Sequence, residues 1–62
     1  MPLVTIKILE GRTVEQKRGM VKDVTAAIVK NIGCQTSAVT ITIVDLKKEN
    51  ISAGGVLFCD NK

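Results

Sequence analysis

Leu3-Val4-Thr5-Ile6-Lys7-Ile8-Leu9, followed by Glu10-Gly11-Arg12 and then by Thr13-Val14-Glu15-Gln16, is the run that decides the fold. The first seven residues alternate. Val4, Ile6 and Ile8 fall on one side, and Leu3, Thr5, Lys7 and Leu9 on the other. That period of two predicts a strand over residues 3–9 with one apolar and one mixed face. Gly11 supplies the break. Thr13 and Gln16, three apart, then have the spacing of a capping box. Glu15 stands in the first turn, where the helix dipole favours negative charge. Within sixteen residues a strand ends, the chain turns and a helix begins.

The helix predicted from that start runs from about 14 to 32. Met20, Val21, Val24, Ala27, Ile28 and Ile32 recur at helical spacing and form its apolar stripe. Lys17, Arg18, Lys22, Asp23 and Lys30 mostly fall outside the stripe and read as a solvated face. Gly19 costs the helix about 1 kcal/mol relative to alanine and is read as a place of close packing. Gly33 follows the last apolar residue, the position of a left-handed cap. Residues 39–45 alternate again and are rich in β-branched side chains: Val39, Ile41 and Ile43 on one face, Thr40, Thr42 and Val44 on the other.

Strand, helix and strand over this length predict a βαβ unit, with the strands parallel and the crossover right-handed. The helix should cover Val4, Ile6, Ile8, Val39, Ile41 and Ile43. The opposite face keeps Leu3, Leu9 and Val44 among polar groups. A two-stranded parallel sheet with a half-apolar open face is not a stable monomer, so a further copy is expected. Beyond the polar stretch Lys47-Lys48-Glu49-Asn50, the pair Gly54-Gly55 permits a tight turn, and Ile51 and Val56-Leu57-Phe58 flank it. A short hairpin there has nothing of its own to pack on and is expected to lie across a neighbouring subunit.

The totals limit the classes of function. Sixty-two residues make one domain, 1–62. A chain so short buries only about 60% of its unfolded surface. With no histidine, two cysteines (Cys34 and Cys59) and no Cys-x-x-Cys spacing, a zinc site is not expected. One disulfide is arithmetically open. The start resembles no signal peptide, so free thiols and a cytoplasmic location are the expectation. No apolar run is long enough to cross a membrane. The net charge of +3 would suit an anionic partner, but the lysines are scattered and Phe58 is the one aromatic. Nucleic-acid binding, which leans on stacking side chains, is therefore not expected.

Working outward to the amino terminus, Met1-Pro2 stands out. Initiator methionines are usually trimmed before a small residue. Trimming would leave Pro2 with a secondary amine. A free α-amino group titrates near pH 7.7–8.0, and apolar surroundings or a nearby cation favour its neutral, basic form. The plainer alternative is that proline merely begins a terminal strand, where its missing N–H costs nothing.

Pro2, the run Ile8-Leu9-Glu10-Gly11-Arg12, Glu15-Gln16-Lys17 opening a helix, and the late Gly54-Gly55 together resemble the 4-oxalocrotonate tautomerase family over nearly the whole chain. The resemblance implies small βαβ subunits that pair and usually assemble as trimers of dimers, so a homohexamer is the expected state. It implies keto–enol tautomerisation of unsaturated keto acids, with the amino-terminal proline as general base and no cofactor. The residue matching Arg12 reaches a substrate carboxylate from a neighbouring subunit, a role that suits arginine's planar fork. Read alone, Arg12 is a solvated turn residue; the family pattern around it turns the reading to a carboxylate ligand. The catalytic residues implied are Pro2 and Arg12. The substrate-binding residues are Arg12, Leu9, Thr40 and Ile51. Two positions depart from the family pattern. Thr40 stands where a second arginine usually does, and Ile51 where an aromatic residue usually helps wall the pocket. Ile51 keeps the site apolar. Thr40 offers a hydroxyl and no charge. Two other classes stay open: a non-catalytic subunit of a hetero-oligomer, and a small basic binding module.

Overall fold

The alternating run over Leu3–Leu9 forms strand β1, and Val14–Ile32 form helix α1. The computed structural model describes residues 1–61. The connection between β1 and α1 turns at Gly11, whose φ of 111° is open to glycine at little cost. Thr13 caps the helix as its spacing foretold. Gln16 N–H donates to Thr13 Oγ1 at 3.1 Å, and Thr13 N–H donates to Gln16 Oε1 at 2.9 Å. Losing such a cap costs about 1 kcal/mol. Gly33 closes the other end with φ 82°, its N–H donating to Val29 O at 2.9 Å.

A short helical turn over Thr36–Ala38 leads into strand β2, Thr40–Leu46, which pairs parallel with β1. The register sets Leu3 opposite Thr40, Ile6 opposite Ile43 and Leu9 opposite Leu46. The second strand lies one residue later than the alternation alone suggested. Thr40 N–H donates to Pro2 O at 3.1 Å, and Glu10 N–H donates to Leu46 O at 2.9 Å, so the pairing is bracketed at both ends. Strands β3 (Ser52–Ala53) and β4 (Val56–Leu57) form the antiparallel hairpin, with Gly54 and Gly55 at φ 62° and 84° in its turn. Phe58 N–H donates to Ile51 O at 2.9 Å, extending the ladder by one bond.

The apolar stripe of α1 is wider and rotated from the expected one. Lys17, Met20, Val21, Val24, Thr25, Ile28 and Val29 are partly covered, whereas Ala27 and Ile32 are exposed. Ile32 is the last residue of the helix and stays 67% exposed. Gly19 is corrected as well: a Cβ added there would meet nothing within 4 Å, so no close packing within the chain explains it.

No side chain among the described residues is fully buried. The accessible surface is 4950 Å², against about 3,900 Å² for a folded monomer of this mass. The radius of gyration is 14.8 Å, against about 11 Å for a compact chain of this length. The extents of 43 × 24 × 14 Å describe a flat, elongated unit. The excess surface is comparable with what one partner buries in a standard interface, about 800 Å².

Candidate functional site

The residues singled out in the sequence separate into two groups at opposite ends of the β1–β2 pair. Pro2 and Thr40 are together at the amino-terminal end. Pro2 is half-buried, its carbonyl takes the Thr40 N–H, and Thr40 itself is exposed. Leu9 and Arg12 are at the carboxyl-terminal end, where Leu9 is half-buried beside Leu46 and Arg12 stands exposed in the turn. Ile51, half-buried, follows the end of β2 after Lys47 and a short helical turn over Lys48–Asn50. The seven residues of β1 span about 23 Å. Within one chain, Pro2 and Arg12 therefore do not share a site.

Arg12 borders a cleft of about 160 Å³ with Ile8, Gln16, Lys17 and Met20. Sequence reading placed Lys17 on the solvated face. The structure instead puts its Nζ 2.8 Å from Asp45 Oδ2, with the two side chains 26% and 45% exposed. The signal was present in the alternation: Asp45 continues the helix-facing set Ile41, Ile43 of β2, and Lys17 lies one turn before Met20. A larger open groove of about 560 Å³ runs along α1 beside Val21, Thr25 and Val29, and it contains none of the residues above. The other end of the chain has its own constraint. While Met1 remains attached, the Pro2 nitrogen is a tertiary amide without usable basicity. Met1 is 93% exposed. Cys34 and Cys59 are both free thiols, the first half-covered and the second exposed.

The chain is thus a strand–helix–strand unit with a proline at position 2 and an arginine in the turn before the helix. The chain belongs to the tautomerase enzyme family, whose family model matches residues 2–61. It is 38% identical to the 2-hydroxymuconate tautomerase of Bacillus subtilis over 60 residues, which cover 97% of each chain. It superposes on the crystal structure of YwhB, a homologue of 4-oxalocrotonate tautomerase, with a TM-score of 0.94. That match has 36% identity and covers 98% of this chain and 100% of the other. It also superposes on a heterohexamer 4-oxalocrotonate tautomerase chain from Chloroflexus aurantiacus, with a TM-score of 0.92, 26% identity and full coverage of both chains.

Proposed function

We propose that this protein, with Met1 removed, is a keto–enol tautomerase of unsaturated keto acids that works as an oligomer. The observation that carries the reading is the separation of Pro2 and Arg12 to opposite ends of β1. The two residues can serve one substrate only if different subunits supply them. The excess accessible surface and the exposed Leu3, Val56 and Leu57 support that assembly, because each leaves apolar area for another copy to cover. Taken with the family, a homohexamer built as a trimer of dimers is the reading. The two free thiols suit a cytoplasmic location.

In this mechanism the Pro2 amine takes the enol hydroxyl proton. The C=O bond forms as the electron pair shifts along the conjugated chain. The protonated amine then returns the proton to carbon and is regenerated unchanged. Arg12 of a neighbouring subunit holds a carboxylate of the substrate through charge-assisted hydrogen bonds. Leu9, supplied like Arg12 by a neighbouring subunit, and Ile51 keep the pocket apolar, which favours the neutral amine. Thr40, one backbone hydrogen bond from Pro2, gives the site a hydroxyl in place of a second charge.

Intact-mass measurement paired with an enol-to-keto assay on 2-hydroxymuconate tests this. Activity in the trimmed protein, lost when Met1 is retained, is the expected result. Tautomerisation that survives a blocked Pro2 would overturn it. The position of Thr40 beside Pro2 favours one second reading, a non-catalytic subunit in a mixed oligomer. That reading predicts no activity in the trimmed protein alone and recovery only with a different partner chain.

A further inference from the structure

Among the described residues, Lys17–Asp45 is the one ion pair that joins elements far apart in sequence; the other, Arg18–Glu15, lies within one exposed helical turn. Its placement is specific. Asp45 neighbours Leu46, and Leu46 O accepts the N–H of Glu10. Two cross-links therefore land on consecutive residues of β2: one from Glu10, two residues before Arg12, and one from Lys17, five residues after it in the first turns of α1. Between them the capping box of Thr13 and Gln16 fixes the first turn of the helix, and Lys17 N–H donates to Thr13 O at 3.1 Å. Arg12 is exposed, but the chain is tied to β2 on either side of it, by the backbone at Glu10 to Leu46 and by the Lys17 side chain to Asp45.

We propose that Lys17 and Asp45 are a positioning pair that aims Arg12 at the substrate carboxylate; the inference rests on the carboxylate-binding role proposed above for Arg12. Lys17 borders the same cleft as Arg12, so two roles compete for it. As a direct ligand, Lys17 would be hindered by Asp45, which occupies its ammonium. As a positioning residue it needs Asp45. The two roles predict opposite effects of removing the carboxylate.

The test is binding by calorimetry to the trimmed protein, using 2-oxohexanedioate as the charged probe and its dimethyl ester as the uncharged control. Lys17→Met keeps the stem and removes the ammonium, and Asp45→Asn is isosteric. Each should weaken the diacid about three- to tenfold, since a loosened arginine loses preorganisation, and leave the diester unchanged. The charge-reversed pair Lys17→Asp with Asp45→Lys should recover much of the loss. Tighter diacid binding by Asp45→Asn would make Lys17 a ligand and overturn the proposal. So would equal losses for diacid and diester, which would indicate a general structural effect. Arg12→Ala, measured alongside, separates the two levels. If it weakens the diacid selectively while Lys17→Met does not, the positioning role fails and the carboxylate-binding role stands. If Arg12→Ala shows no selectivity, both fail.

Discussion

The two ends of the β1–β2 pair are made by the same two strands and are held very differently. At the amino-terminal end the bond from Thr40 N–H to Pro2 O brackets the strand pairing with no side-chain cross-link beside it among the described residues, and Met1 and Leu3 are 93% and 77% exposed. At the carboxyl-terminal end the Glu10 N–H to Leu46 O bond, the Lys17–Asp45 ion pair and a complete capping box of Thr13 and Gln16 lie close together along the chain. The end that carries the candidate base is left open, and the end that carries the candidate cation is cross-linked within the subunit. A carboxylate receptor gains from being fixed in advance, because less ordering remains to be done on binding. An amine base gains from an apolar enclosure, and a subunit without a closed core cannot supply that alone.

The sharpest way to break this contrast is chemical. Retaining Met1 should abolish general-base catalysis at the open end, a loss of about 10²–10⁴ in kcat. The oligomer should persist, as native mass spectrometry would show. Next in size is Thr40→Arg, which gives the open end the charge it lacks. The kcat/KM ratio for dicarboxylate over monocarboxylate enols should rise, by up to about 10² if a preorganised donor is restored. An unchanged ratio would mean that Thr40 is not what limits the site. At the clamped end, Arg12→Ala should weaken carboxylate substrates by about 1.5–3 kcal/mol, seen mainly in KM. The smallest expected effect touches neither end. Gly19→Ala meets open space in the chain and should raise stability by up to about 1 kcal/mol, read from the urea midpoint at fixed protein concentration. A loss of stability there would place Gly19 in a subunit contact and extend the comparison to the helix.

Much of this was legible because it is local. Leu3 to Leu9 alternate with the period of a pleated strand, and Thr13 and Gln16 stand at the one spacing at which each can satisfy the other's backbone. Gly33, Gly54 and Gly55 occupy positive-φ positions that other residues resist, so helix end and hairpin turn were fixed by residue type. The family was likewise readable from Pro2, Glu10-Gly11-Arg12 and Glu15-Gln16-Lys17, since these are contiguous or nearly so. The tertiary structure decided what depends on register and rotation. Which helical face turns inward is set by packing on both strands at once, and Val29 and Thr25 displaced Ala27 and Ile32 from the stripe for that reason. The alternation places Asp45 on the helix-facing side of β2, but its cross-link to Lys17 also needed the rotation of α1 that turns Lys17 toward the sheet. The separation of Pro2 from Arg12 already followed from the strand predicted over residues 3–9, which spans about 23 Å; that Thr40 closes on Pro2 and Leu46 on Glu10 was decided by the register of the two strands.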